Sequence, residues 1–159
     1  MREYIHDYAG QLEAELVRVK NSPISDRDKQ LIFEFRDHNI SKDVSIPRIL
    51  RQVGILRLTT QRINKGFESL TAKDYENYLV FMKKENFSPS SIETYKGVLK
   101  VFHKWLNGGK VYPECVEWFK SKGSKYGKLP EDLLTEEEVK KLILAVEPKR
   151  DKAFVASLY

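Results

Sequence analysis

SPSSIETYKGVLKVFHKWL, residues Ser88–Leu106, carries the strongest structural signal in the chain. Ser88 is a helix N-cap residue, and Pro89 follows at the first helical position, where the missing N–H has no intrahelical partner to lose. Ile92, Tyr95, Leu99, Phe102 and Leu106 recur at three- and four-residue steps and form one continuous apolar stripe. Lys96, Lys100, His103 and Lys104 are expected together on the opposite side, and Asn107-Gly108-Gly109 ends the helix. A face built for burial is backed by a basic one.

The same periodicity continues outward from this helix. Ile5, Tyr8, Leu12, Leu16 and Val19 predict a helix over roughly residues 2–20, broken at Asn21-Ser22-Pro23. Ser25, with Asp28 three residues later, opens a second helix carrying Leu31, Ile32 and Phe35 and ending near Asn39. A third begins at Ser45, with Pro47 in its first turn, and buries Ile46, Ile49, Val53 and Leu56. Asn64-Lys65-Gly66 stops it, and Thr71 with Asp74 opens a fourth whose apolar side is Tyr75, Tyr78, Leu79 and Met82. Asn39-Ile40-Ser41 and the helix after it parallel Asn86-Phe87-Ser88 and the helix after that, the pattern of two helical hairpins packed as a four-helix bundle.

Beyond the fifth helix, GGKVYPECVEWFKSKGSKYGK reads as a linker, although Val116 and Trp118-Phe119 can dock on a neighbouring surface. Thr135 with Glu138 is a capping box, followed by Val139, Leu142, Ile143 and Val146 at helical spacing. A last helix starts around Arg150, runs through Ala153-Phe154-Val155-Ala156 and stops without a cap, so it reads as the cut start of a second domain. The expected class is all-α. Its expected parts are an extra N-terminal helix (1–22), a helical bundle (23–108), a basic linker (109–128) and a truncated unit of one or two helices (129–159).

Charge is unevenly placed. The 159 residues hold 28 Lys+Arg against 23 Asp+Glu, a net +5. Lys96–Lys128 alone has 8 lysines against Glu114 and Glu117, so 8 − 2 = +6, more than the whole excess. Val44–Lys65 is a second basic island, with Arg48, Arg51, Arg57, Arg62 and Lys65 and no acid. Such stretches suit a polyanion. No run approaches the ~18 apolar residues of a membrane-spanning helix, and the start, MREYIHDYAG, lacks the apolar core of a signal peptide. Cys115 is the single cysteine, which excludes a disulfide framework and points to a reducing, cytoplasmic setting.

Enzyme chemistry finds no support. His6, His38 and His103 have no metal-ligand spacing, no Gly-rich phosphate loop is present, and no Ser/His/Asp order appears. No metal and no cofactor is expected. Cys115 lacks an activating neighbour, and Trp105 and Trp118 are expected to be buried or to dock the linker.

The Ser88–Leu106 segment resembles the last helix of the core-binding domain of tyrosine recombinases, the phage-integrase and Xer type. LPEDLLTEEEVKKLIL and RDKAFVASLY look like the opening of their catalytic domain, most like the archaeal integrase branch, and the resemblance spans roughly Asp26–Tyr159. It implies a four-helix SAM-like bundle covering one face of duplex DNA, with the catalytic domain on the other face as a C-shaped clamp, and with further recombinase protomers as partners. The family's chemistry is attack of a tyrosine hydroxyl on a phosphodiester, with arginines, a lysine and histidines stabilising the phosphate. None of those catalytic residues can be placed here; Tyr159 matches a core position, so the segment is expected to bind DNA without cutting it.

The DNA-binding candidates follow from position and from the resemblance. Lys96, Lys100 and Lys104 can track phosphates along the fifth helix, and Ser90, Ser91 and Thr94 stand at its start. Arg48, Arg51 and Arg57 are candidates on the third helix, though they do not share one narrow stripe. Lys120, Lys122, Lys125 and Lys128 are expected to strap the linker along the backbone. The competing expectation is a helical interaction module whose basic face meets an acidic partner protein, such as the Glu3, Asp7, Glu13 and Glu15 face of another copy.

Overall fold

The computed structural model describes residues 7–120, 134–146 and 149–157, and the chain divides into two compact units, residues 1–122 and residues 123–159. Among the described residues the structure is all-helical. The first unit holds α1 (Tyr8–Asn21), α2 (Asp26–Ile40), α3 (Ile46–Ile63), a 3-10 turn (Phe67–Ser69), α4 (Ala72–Lys84), α5 (Pro89–Leu106) and α6 (Glu114–Glu117). The second holds α7 (Glu136–Ala145) and α8 (Lys149–Ser157). No helix among the described residues is long and apolar enough to cross a membrane.

The helix starts follow their capping chemistry. Ser25 Oγ accepts from the Asp28 N–H at 3.0 Å, Ser88 Oγ from the Ser91 N–H at 3.1 Å, and Thr71 with Asp74 closes a reciprocal capping box. Asp7 caps α1 by accepting from the Gly10 N–H at 2.8 Å. Helix α3 is the exception: Ser45 makes no side-chain cap bond, and Pro47 occupies the first turn. Asp28 is 3% exposed and also accepts the Phe67 N–H at 2.9 Å, which ties the start of α2 to the 3-10 turn.

The core of the first unit forms where the apolar stripes meet. Phe102 of α5 contacts Phe35 of α2 edge-on at 5.2 Å and Phe67 at 4.5 Å, with Leu31, Ile32, Ile49, Leu56, Met82 and Leu99 buried. Helix α1 packs on α3 through Leu12, Leu16 and Val19. The expected acidic outer face of α1 is therefore partly spent: Glu15 is 5% exposed and pairs with Arg57 at 2.7 Å and Arg18 at 2.8 Å.

Residues 109–119, expected as linker, are built into the first unit. Val116 is fully buried, Phe119 is 2% exposed, and the Phe119 ring meets Tyr75 edge-on at 5.6 Å. The two apolar side chains outweigh the Gly- and Lys-rich composition around them, because α6 packs against both α4 and α5. Trp118 stays 38% exposed and donates its indole N–H to the Cys115 carbonyl at 3.0 Å. In the second unit the Thr135–Glu138 capping box forms as expected, and Lys140 pairs with Glu136 at 2.6 Å.

Candidate nucleic-acid interface

Helix α5 presents three faces rather than two. Ile92, Leu99 and Phe102 are buried, and His103 is buried with them at 3% exposed. This corrects the expectation that His103 shares the basic side. Position 103 follows 99 by one turn and adjoins 102, so it belongs to the core stripe. A second face carries Lys96 and Lys100; a third carries Thr94, Gly97, Val98, Val101 and Trp105, with Lys104 on the edge between them.

The second face is engaged within the protein. Lys96 pairs with Glu93 at 2.8 Å. Lys100 donates to the Phe119 carbonyl at 2.9 Å and stands 4.8 Å from the Tyr112 ring centre, with Lys104 on the same ring at 4.9 Å. These contacts pin the 110–119 segment to α5. Ser90 and Ser91 join the Ser88 cap network, at 3.0 and 2.8 Å from its hydroxyl, and Thr94 donates to the Ser90 carbonyl at 2.9 Å.

The arginines of α3 separate in the same way. Arg57 lies nine residues from Arg48, two and a half turns at about 3.6 residues per turn, and so points to the other side of the helix. There it bonds Glu15 at 2.7 Å and Gln61 at 3.0 Å, with its side chain only 16% exposed. Arg57 thus holds α1 to α3. Arg62 stacks 3.7 Å above Phe81, and Lys65 pairs with Asp74 at 2.8 Å.

Arg48 and Arg51 remain exposed, and they meet Thr94 across a groove of about 460 Å³ lined by Ser45, Pro47, Gln52, Gly97, Val98 and Val101. A second hollow of about 590 Å³ begins at the same Val101 and runs along Lys104, Trp105 and Gly108-Gly109 to His38, Asn39 and Lys42. No acid lines either hollow. Lys42, Arg48, Arg51 and Lys104 take part in no ion pair among the described residues. Burial, then the charge of Lys42, lowers the His38 pKa, so that ring is neutral at neutral pH. Lys42 and Gln52 were not among the sequence-based candidates. Lys42 sits beside Asp43 in the sequence, and only the packing of α2 against α5 shows that it faces the acid-free side.

Gln52 has an unusual position in this groove. It is 4% exposed, and its Oε1 has no hydrogen-bond partner among the described residues. A buried acceptor left unsatisfied costs on the order of 1–3 kcal/mol. Lys120 is exposed at the end of the packed segment, while Lys122, Lys125 and Lys128 lie outside the described residues.

A third hollow, of about 640 Å³, contains a cysteine and a histidine. The Tyr75 hydroxyl lies 2.6 Å from His103 Nε2, and Cys115 Sγ lies 3.8 Å from His103 Nδ1. With Tyr75 donating, the ring proton is on Nδ1 and faces the sulfur, an arrangement that cannot take a proton from the thiol. Burial pushes the His103 pKa down to about 4 and the Cys115 thiol up, the reverse of an activated pair. Among the described residues no cluster of His, Cys, Asp and Glu could hold a metal ion.

The site is therefore two cationic hollows on α2, α3 and α5 of the first unit, sharing Val101 and lined by no acid. No protein-family model matches the chain, and no curated protein or solved structure matches it.

Proposed function

We propose that the chain is the duplex-DNA-binding part of a site-specific tyrosine recombinase. Residues 23–108 form its SAM-like core-binding bundle and residues 129–159 the opening of its catalytic domain. The observation that carries this reading is a pair of hollows that share Val101 and are lined by no acid, one holding Arg48 and Arg51 and the other Lys42 and Lys104. Four cations without an ion pair among the described residues are suited to phosphates spaced along a duplex, because each phosphate neutralised releases condensed counterions. The resemblance of Ser88–Leu106 and Leu129–Tyr159 to the recombinase family supplies the reaction context: the DNA held here is a substrate for strand exchange among several protomers.

The test is the salt dependence of binding to a mixed-sequence duplex. Arg48→Ala and Arg51→Ala should each reduce the log–log slope by about 0.9, whereas Lys96→Ala should leave it unchanged. A chain that binds poly-glutamate as tightly as duplex, or shows no salt-dependent duplex binding, would overturn the proposal and favour an acidic protein partner.

A further inference from the structure

Two features of the α3–α5 groove have no explanation within the folded chain. Gln52 lines the groove, and its Oε1 is buried without a donor among the described residues. Across from it, Gly97 occupies the middle of α5, where glycine is a poor helix former. A Cβ built at Gly97 would meet nothing within 4 Å, so no neighbouring side chain requires the gap. Local departures of this kind, without a structural reason, collect at binding sites. Here both line the same hollow as Arg48, Arg51 and Thr94.

The missing partner has a definite chemistry. An orphaned carbonyl oxygen needs an N–H or O–H donor, which a phosphate diester does not provide. The ligand must therefore present anionic oxygens to Arg48 and Arg51 and a donor to Gln52. In the major groove of a duplex, adenine offers its N6 amino group and cytosine its N4, whereas guanine and thymine offer acceptors at those edges. Oε1 is itself buried, so contact with such a donor requires the amide to turn about its broad terminal torsion and bring Oε1 to the groove.

We propose that the α3–α5 groove reads one base as well as the backbone: Gln52 accepts a hydrogen bond from the exocyclic amino group of adenine or cytosine, and Gly97 leaves the space for that edge to approach. This rests on the duplex-binding reading above and adds a specificity-determining residue to it.

The experiment is selection of duplexes from a randomised pool by the 159-residue chain and its variants, with thermal melts run alongside. The wild type should enrich adenine or cytosine at one position. Gln52→Met should melt no lower, keep the salt slope, and lose the preference at that position, with about tenfold weaker binding to the enriched duplex. Gln52→Glu keeps an acceptor and should move the preference toward cytosine. Gly97→Ala should melt at or above the wild type yet weaken binding to the enriched duplex. Duplex binding with no positional preference, or an unchanged profile for Gln52→Met, overturns this inference and leaves the backbone contacts standing. Failure of the wild type to bind any duplex overturns both.

Discussion

His103 makes the stability of the first unit pH-dependent in a window that can be stated in advance. Burial alone lowers its pKa from the ordinary 6.5 to about 4. The unfolded chain takes up this proton as pH falls through about 6.5, while the folded chain does not do so until about 4. Stability from this residue is therefore fully present above pH 6.5, is lost progressively as pH falls toward 4, and changes no further below that. At about 1.4 kcal/mol per pH unit, the gap corresponds to about 3 kcal/mol. The groups facing the ring do not offset it, since the Tyr75 hydroxyl and the Cys115 thiol are both shifted upward and stay neutral across the window. Asp74, held down to about 2 by Lys65 and Thr71, and Glu68, lowered by Arg27, titrate in wild type and variant alike and cancel in a difference. The assay is urea unfolding followed by tryptophan fluorescence. Trp105 and Trp118 both lie in the first unit and so report on it selectively. The wild type should lose about 3 kcal/mol more than His103→Gln between pH 6.5 and 4. Parallel curves for the two proteins over that range would refute the argument that a buried, neutral imidazole is locked into the core.

Two further outcomes follow from side chains that bind elements together. Arg57→Met leaves Glu15 buried with Arg18 as its remaining partner, and should destabilise the first unit by about 2 kcal/mol with the duplex salt slope unchanged; Glu15→Leu in the same chain should restore most of the loss, and a changed slope would return Arg57 to the interface. Phe119→Ala removes a ring that is 2% exposed and should cost about 3–4 kcal/mol, with protease cleavage appearing between residues 108 and 119; an unaltered melt would mean that the segment is not part of the core.

Local physics was legible from the chain alone. Apolar residues at three- and four-residue steps placed helices α2 to α5 and α7, because amphipathic periodicity is imposed by helix geometry whatever the neighbours are. Ser25, Thr71, Ser88 and Thr135 marked helix starts, since a cap satisfies N–H groups only two or three residues away. The separation of Arg57 from Arg48 was also visible as an angle on one helix.

Which cations remain unpaired was decided by tertiary structure. Arg57 is neutralised by Glu15, 42 residues distant, and Lys100 is held by a carbonyl 19 residues on, so no local pattern distinguishes them from Arg48 and Arg51. His103 reads as one more basic residue until the 3-10 turn and α4 bring Phe67 and Tyr75 against it. The 109–119 segment was expected as linker, yet Val116 and Phe119 leave water against α4 and α5, which offsets the freedom its backbone loses. Helix formation depends on neighbours a turn away, whereas the availability of a charge depends on partners that only folding brings near.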